Sequence, residues 1–288
     1  MKFSIGFAVA VSAALATPAF AQADDKAFDG PYVGVSVGGA FQSSDSGSTI
    51  LFDANADGKF GDTVLTTTGA NAFSPGFCGG AAKTSALSGG CRSDKDGVDY
   101  AARVGFDKQF GKMVIGGVSE FGKISKLSDS VSAFSLTPAS FTLTRKIKFD
   151  GRIDVRGGYV IGDKTLIYGV GGFSFARVRN EFTSIGANFS GTTNNGFRTA
   201  KGYNVGGGVQ HKITSHVSVG LEYLFTALRD PKYRLSVLGL DPTPPAGGGG
   251  APPPGGVGSR AAAQTLVFRR GDDHFRYQSV RATVTFGF

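Results

Sequence analysis

The three histidines are the side chains best suited to acid–base catalysis at neutral pH, and their surroundings do not favour it. His211 and His216 lie near a short polar turn, and His274 directly follows two aspartates. Successive side chains of a strand point to opposite faces, so no histidine gains a nucleophile or an acid from its sequence neighbours. The sequence therefore predicts no enzyme activity and no cofactor.

A second group of polar residues has the spacing of calcium ligands. Asp53, Asn55 and Asp57 offer oxygens at positions 1, 3 and 5 of a calcium loop, and a glycine follows at position 6. Position 12 is Val64, where such a loop needs a glutamate with both oxygens on the ion. The same residues suit a solvated turn held by Asp and Asn side chains. The turn is the favoured interpretation, and calcium is the weaker alternative.

The N-terminal residues indicate an exported protein. A positively charged start precedes an apolar run over residues 3–16, and small residues then lead to a cleavage site before Gln22. The run is too short for a membrane anchor. Residues 1–21 are therefore predicted to be a signal peptide, with 22–30 as a short N-terminal segment of the mature chain.

Cys78 and Cys91 are the only cysteines in the chain. In an oxidising compartment a single pair has one connectivity, which predicts a Cys78–Cys91 disulfide. A two-cysteine metal site is the alternative, but no histidine lies within about 100 residues of the pair in sequence.

The composition disfavours a helical protein. The chain has 45 glycines, 25 phenylalanines, a hydrophobic share of 41% and a mean hydropathy of −0.01. A helical membrane protein needs several runs of about 20 apolar residues, which this chain lacks. Each glycine costs a helix about 1 kcal/mol, which argues against a helix-rich α/β enzyme. Abundant glycine and phenylalanine with mixed charge instead indicate an all-β chain.

Eight segments alternate apolar and polar residues with a period of two, as strands do between lipid and a polar interior. The clearest of these segments is residues 141–161. Its odd-numbered positions, from Phe141 to Ile161, are mostly apolar, and six charged residues lie at even-numbered positions on the other face. A soluble sandwich strand seldom alternates for so long. The predicted strands are 32–42, 98–110, 113–125, 141–161, 165–180, 200–214, 217–229 and 274–288.

The links between these segments differ in length. Three short turns alternate with four long links, at about 43–97, 126–140, 181–199 and 230–271. In lipid every backbone N–H and C=O must be paired, so a strand protein needs a closed sheet. The sequence therefore predicts an all-β fold: an eight-stranded antiparallel transmembrane β-barrel over residues 31–288. Four long extracellular loops, short periplasmic turns and two periplasmic termini complete this prediction.

The same alternation predicts which charges face the barrel interior. It places nine basic and seven acidic residues there: Asp99, Arg103, Asp107, Glu120, Lys146, Lys148, Asp150, Arg152, Asp154, Arg156, Arg177, Arg179, Glu181, Lys212, Glu222 and Arg281. An unpaired buried charge is costly, so this near balance predicts an ion-pair network that plugs the lumen.

The fourth long link combines a proline-rich stretch with basic residues. Residues 239–258 hold six prolines and many glycines, which predicts a mobile loop tip. The guanidinium groups of Arg260, Arg269 and Arg270 suit the phosphates of lipopolysaccharide. A solvated basic loop is the alternative.

Parts of the sequence resemble the opacity-like and porin-family small outer-membrane β-barrels. Residues 202–214 and 217–225 resemble their sixth and seventh strands, and 30–34 resembles their first. The C-terminal residues, with Phe286 and Phe288, resemble the signal that the barrel-assembly machinery reads. The chain departs from the family pattern at Gln210 and Phe225, where Glu and Tyr are usual. The resemblance implies a bacterial outer-membrane location, but the family is functionally mixed.

These features predict a structural or surface-interaction protein with a plugged lumen. Its expected partners are outer-membrane lipids, lipopolysaccharide, the barrel-assembly machinery and ligands on host or envelope surfaces, with no nucleic acid. A narrow porin for ions or small solutes is the alternative. A lipid-modifying enzyme is the remote alternative.

Overall fold

The computed structural model describes residues 26–42, 47–66, 68–186, 191–193, 197–230, 233–237 and 266–288. The predicted signal peptide, the predicted loop tip at 239–258 and Arg260 lie outside these residues.

Strands make up nearly all the regular structure of the described residues. They are β1 (Gly30–Gln42), β2 (Ile50–Asp53), β3 (Gly76–Gly79), β4 (Ala81–Ala82), β5 (Cys91–Arg92), β6 (Gly97–Phe110), β7 (Met113–Ser125), β8 (Ser128–Phe134), β9 (Ser140–Ile161), β10 (Thr165–Ile185), β11 (Gly191–Thr193), β12 (Phe197–Lys212), β13 (Val217–Arg229), β14 (Leu235–Val237), β15 (Leu266–Arg270) and β16 (His274–Gly287). A single 3₁₀ turn, Leu87–Gly89, is the helical element of this part of the chain. No helix among the described residues is both long and apolar enough to cross a membrane.

Eight long strands close into an antiparallel barrel, as predicted. In spatial order they are β1, β6, β7, β9, β10, β12, β13 and β16, and β16 pairs with β1 to complete the ring. The closing pair runs from Tyr32 opposite Gly287 to Gln42 opposite Tyr277. Closure leaves no barrel strand with an unpaired edge, which is the condition for a sheet in lipid. The sequence prediction of eight strands is therefore confirmed.

The outward face of the barrel is apolar. Val35, Phe106 and Val155, for example, are exposed by 58%, 54% and 72%. Such a continuous apolar surface is foreign to a soluble protein and suits contact with lipid.

The interior is filled by side chains in three layers. Near the short turns lies an apolar layer of Phe28, Tyr32, Val114, Val118, Val160, Leu166, Tyr168, Val170 and Leu224. A charged layer follows, and beyond it lies a second apolar layer of Ala40, Ile124, Leu127, Ile147, Ala176, Val178, Ala200, Leu228, Phe275 and Tyr277. An eight-stranded barrel has only enough interior space for such side chains.

A β-bulge in β9 overturns part of the predicted side-chain orientation. Opposite Arg177 lies Phe149 and opposite Val178 lies Ile147, so Lys148 has no partner in the ladder. One extra residue reverses the faces of all residues beyond it. Arg145 and Ile147 therefore point inward and are buried, whereas Lys146 and Lys148 turn outward.

The predicted orientation of β10 is also wrong. Leu166, Tyr168 and Val170 face the interior, whereas Arg177 and Arg179 lie on the exposed outer face. The prediction assumed that apolar side chains face lipid, but in this strand they fill the apolar layers of the lumen. Arg179 and Lys146 instead pair outside the barrel with Glu181, at 3.3 and 2.5 Å.

The long links form a folded cap over one end of the barrel, here called the cap. Its sheet has the order β11-β14-β15-β2, and β8 and β3 extend the barrel sheet beside β9. Phe52, Phe73, Phe141, Phe268 and Tyr233 pack in the core of the cap. The sequence analysis predicted these links only as long loops and did not predict the strands that they form.

The cap also contains the disulfide. Cys78 in β3 and Cys91 in β5 are bonded, with their Cα atoms 6.4 Å apart. The bond attaches the β4–β5 hairpin to the strands that pack above the barrel, and the structure has the predicted pairing.

Candidate functional site

Glu120 is the centre of the charged layer. Its Oε1 accepts from Arg103 Nε at 2.8 Å, and its Oε2 accepts from Arg281 Nη1, also at 2.8 Å. A third guanidinium, that of Arg152, places Nε 2.8 Å from the same Oε2. One carboxylate on β7 is thus bound by arginines from β6, β9 and β16.

Glu222 on β13 completes this arrangement from the opposite wall. It pairs with Arg103 at 3.0 Å and with Arg281 at a shorter separation, and it accepts a hydrogen bond from the Tyr168 hydroxyl at 2.8 Å. Arg103, Glu120, Arg152, Glu222 and Arg281, here called the central charge network, connect strands on all sides of the lumen.

Arg156 links the central charge network to the end with short turns. It pairs with Asp107, and its Nη1 donates to Gln210 Oε1 at 3.1 Å. Its guanidinium also lies over the rings of Tyr32 and Tyr168, at 4.7 and 5.1 Å. Stacking and pairing together fix this side chain across the lumen.

Three interior aspartates are bound less closely. Asp99 lies 3.9 Å from Arg152 and 3.8 Å from Arg281, and neither of its carboxylate oxygens has a hydrogen bond. One oxygen each of Asp150 and Asp154 is likewise buried without a hydrogen bond. Buried carboxylate oxygens without a protein donor are suitable partners for ordered water.

The structure places ten of the sixteen predicted charges inside the barrel. They are Asp99, Arg103, Asp107, Glu120, Asp150, Arg152, Asp154, Arg156, Glu222 and Arg281, all buried. Lys146, Lys148, Arg177, Arg179 and Glu181 point outward, and Lys212 lies at the rim, donating to the Ser215 carbonyl at 2.9 Å. Of the predicted interior charges, four guanidinium and six carboxyl groups therefore lie inside the barrel. The prediction of a slight excess of positive charge among them was wrong.

A further buried ion-pair group lies at the cap end of the barrel. Arg145 and Arg270 both bind Asp129, and Arg270 Nη2 lies 2.5 Å from Asp129 Oδ1. Burial alone would raise the pKa of Asp129, but the two guanidinium groups outweigh it and lower that pKa. Arg270 is thus an internal structural residue, which corrects its prediction as a lipopolysaccharide contact.

Arg269 remains at the cap surface. Its guanidinium lies 4.4 Å from the centroid of the Phe60 ring, and the guanidinium of Arg234 lies 4.7 Å from the same ring. A cation over an aromatic face is attracted by the ring electrons, which holds these side chains in place.

The candidate calcium residues hold a turn in the structure. Asp53 accepts from the backbone N–H groups of Asp57 and Gly58 at 3.1 and 2.9 Å, and Asn55 accepts from Asp57 N–H at 3.0 Å. Their side-chain oxygens are thus used by the chain itself, as in the predicted Asp- and Asn-rich turn.

The three histidines have different partners. His211 contacts Thr165 at 2.9 Å, and His216 contacts Ser215 at 2.8 Å. His274 Nδ1 lies 3.4 and 2.9 Å from Asp272 and Asp273, because these aspartates occupy the bend before β16 rather than a strand. The expectation that His274 and the aspartate before it point to opposite faces of a strand is therefore wrong.

The Asp272–Asp273–His274 group has ligand atoms close enough to hold a cation. However, Arg229 pairs with Asp273 at 2.8 Å and Arg276 pairs with Asp272 at 3.1 Å. Burial would raise the pKa of Asp273, but the hydrogen bond from Arg229 and the charges nearby lower it. The carboxylates are thus neutralised by protein cations, which disfavours a metal.

Sequence reasoning missed several residues of the interior and the cap. Arg145 was assigned to the outer face because the bulge at Lys148 leaves no mark in the alternation. Asp129 and Tyr233 lay in links that were predicted to be loops. The alternation of Val131 and Ala133 with serines was the available signal for β8.

Comparison with known proteins gives a consistent assignment. A family model described as "Outer membrane protein beta-barrel domain" matches residues 7–241. The 31 kDa outer-membrane immunogenic proteins of Brucella melitensis biotype 1 and Brucella suis biovar 1 are each 24% identical over 177 residues. The match covers 58% of this chain and 73% of each relative.

Two solved outer-membrane proteins align with most of the chain at low sequence identity. OprG of Pseudomonas aeruginosa is 11% identical, with 92% of this chain and 100% of that chain covered and a TM-score of 0.42. The outer membrane protease OmpT of Escherichia coli is 10% identical, with 90% and 97% covered and a TM-score of 0.36.

Proposed function

Since this chain belongs to the outer membrane protein β-barrel family and is a bacterial outer-membrane barrel, we propose that it serves a structural and surface-interaction role with a closed lumen. The observation that carries the proposal is the burial of the central charge network. The side chains of Arg103, Glu120 and Arg281 are exposed by 2%, 2% and 0%, so almost none of their surface is accessible to water.

The energetics of buried charge support a closed lumen. Removing one partner of a buried ion pair costs about 3–5 kcal/mol, because the other charge is left without compensation. Opening a path through the charged layer would separate several such pairs at once. The apolar layers above and below would also have to admit water, and Phe28 fills the lumen at the turn end, where its N–H donates to Gln109.

A narrow cation-conducting porin is the second candidate. Within the charged layer, six carboxyl groups face four guanidinium groups, and Asp99 has only long ion pairs, which favours passage of cations over anions. In this alternative, waters beside Asp99, Asp150 and Asp154 would connect into a continuous path.

We assign the cap to the cell exterior and the termini to the periplasm. Support comes from the lengths of the connections, since the start of β1, the end of β16 and three short turns lie at one end and the folded cap lies at the other. Outer-membrane lipids would contact the apolar face, and Arg269 would meet lipopolysaccharide phosphates. Phe286 and Phe288 would serve the barrel-assembly machinery, and the cap would meet host or envelope ligands.

The absence of catalysis is part of the same proposal. His211 and His216 each contact a hydroxyl, but their described contacts include no carboxylate that would orient the imidazole. His274 contacts carboxylates and, in the described residues, no hydroxyl. A lipid-modifying enzyme is therefore not supported by the geometry.

Liposome swelling tests the closed lumen against the porin. Vesicles containing the refolded protein are expected to swell in isotonic solutions of small sugars or amino acids no faster than protein-free vesicles, because the charged layer admits no solute. Swelling that grows with protein content and falls with solute size would overturn the structural role and favour the porin.

A further inference from the structure

A cavity of about 280 Å³ lies between the cap and the barrel mouth. Its wall is formed by β9, β13, β15 and the segments that follow β13 and β15, and it includes Arg145, Tyr233, Arg269 and Arg270. The space corresponds to several water molecules, so it is large enough for a small polar group.

Three of the lining side chains have hydrogen-bonding capacity that the chain does not use. Arg145 is 1% exposed and Tyr233 is 5% exposed, yet Arg145 Nη1 and the Tyr233 hydroxyl have no hydrogen-bond partner. Arg269 Nε is also buried without one. A buried polar group without a partner costs about 1–3 kcal/mol, so three around one cavity call for a ligand.

The acidic groups at the cavity are already bound to protein donors. Asp273 pairs with Arg229, Asp272 pairs with Arg276, and Asp230 accepts from Asn180 at 3.1 Å. The groups without partners are thus hydrogen-bond donors, and two of the three belong to positively charged guanidinium groups. Such a set recognises an anion rather than a cation.

We propose that this cavity binds a phosphate-type tetrahedral oxyanion, held by Arg145 Nη1, Arg269 Nε and the Tyr233 hydroxyl. A tetrahedral anion offers several acceptor oxygens in different directions, which suits three donors from three segments. The pairing of Arg145 with Asp129 and the stacking of Arg269 on Phe60 position two of these donors in advance. The site does not depend on whether the lumen conducts.

Titration calorimetry of the refolded protein in zwitterionic detergent tests the site, with potassium phosphate against potassium chloride at constant ionic strength. Saturable binding is expected. Tyr233→Phe removes one donor and should weaken phosphate binding roughly tenfold. It should leave thermal unfolding without phosphate unchanged or slightly higher, because the hydroxyl has no partner to lose. Tyr203→Phe, on the exposed outer face, is the matched control and should bind as the parent does.

Arg269→Gln gives a second, independent variant, because Arg269 is partly exposed in the cap and stacks on Phe60. It should weaken phosphate binding by roughly tenfold or more, whereas Arg92→Gln, an exposed residue elsewhere in the cap, should not. Absence of saturable binding, or equal affinity in Tyr233→Phe, Arg269→Gln and the parent, would overturn the proposal.

The source of the anion is resolved by competition. If vesicles containing lipopolysaccharide displace phosphate from the parent but not from its variants, the ligand is a lipid-borne phosphate. If free phosphate binds and such vesicles do not compete, the ligand is a soluble phosphate compound.

Discussion

Replacing Glu120 with alanine is expected to lower the free energy of unfolding by about 3–5 kcal/mol. The carboxylate neutralises the guanidinium groups of Arg103, Arg152 and Arg281, and all four side chains are buried. Without it Glu222 is left to balance Arg103 and Arg281, and Arg152 keeps only contacts of 3.9 Å with two aspartates. Urea unfolding of the refolded barrel, followed by circular dichroism because the chain has no tryptophan, measures the loss.

The matched control is Glu181→Ala. Glu181 binds Lys146 and Arg179 on the outer face, where its side chain is 28% exposed and its partners are 40% and 51% exposed. Ion pairs as accessible as these contribute up to about 1 kcal/mol. If Glu120→Ala costs no more than Glu181→Ala, the central charge network does not hold the barrel as described.

The second large effect is expected at Gly38, where β1 meets β16 at the closing seam. A Cβ on Gly38 would collide with the carbonyl oxygen of Val280 and lie 2.6 Å from the Cα of Arg281. Backbone atoms in a closed barrel have little room to move, so Gly38→Ala should cost at the upper end of about 1–3 kcal/mol. The shift in mobility between heated and unheated samples on gels reports the folded fraction, which should fall.

Gly169→Ala is the matched control, and it should not destabilise the folded barrel. A Cβ there meets its nearest atom, the carbonyl oxygen of Gly206, at 3.9 Å, which is ordinary contact. Alanine in a strand loses less backbone freedom on folding than glycine, so the variant should be neutral or more stable by up to about 1 kcal/mol. A similar folded fraction in both variants would contradict the tight approach at Gly38.

The barrel itself could be predicted from the sequence because lipid imposes a simple rule on it. The outer face must be apolar over eight strands, and the period of two makes this visible in β1, β6, β12, β13 and β16. The alternation of short turns and long links then sets the antiparallel order. Both patterns are visible in short stretches of the sequence and do not depend on how side chains pack across the barrel.

The side-chain orientation of β10 and of residues 140–148 of β9 could not be predicted from the alternation alone. Their inward faces carry Leu166, Tyr168, Val170 and Ile147, which resemble lipid-facing residues in the sequence. Whether an apolar side chain fills the lumen or meets lipid depends on what lies opposite it across the barrel. The bulge at Lys148 is set by pairing with β10, which alternation in one strand does not reveal.

The cap was missed for a related reason. Its strands β2, β14 and β15 are only three to five residues long and pair with partners that are distant in sequence. Short apolar runs such as the one at β2 gain their structure from the aromatic core around Phe52, Phe73 and Phe268. The lipopolysaccharide prediction for Arg270 failed because Asp129, its partner, lay in another predicted loop.

Ion conductance of the purified barrel in planar lipid bilayers tests the closed lumen most directly. With the central charge network intact, the protein should insert and show no steady conductance in concentrated potassium chloride, because the proposed closed lumen gives ions no path through the charged layer. Stable current steps that scale with salt concentration and persist at both polarities would contradict the closed lumen and establish a pore.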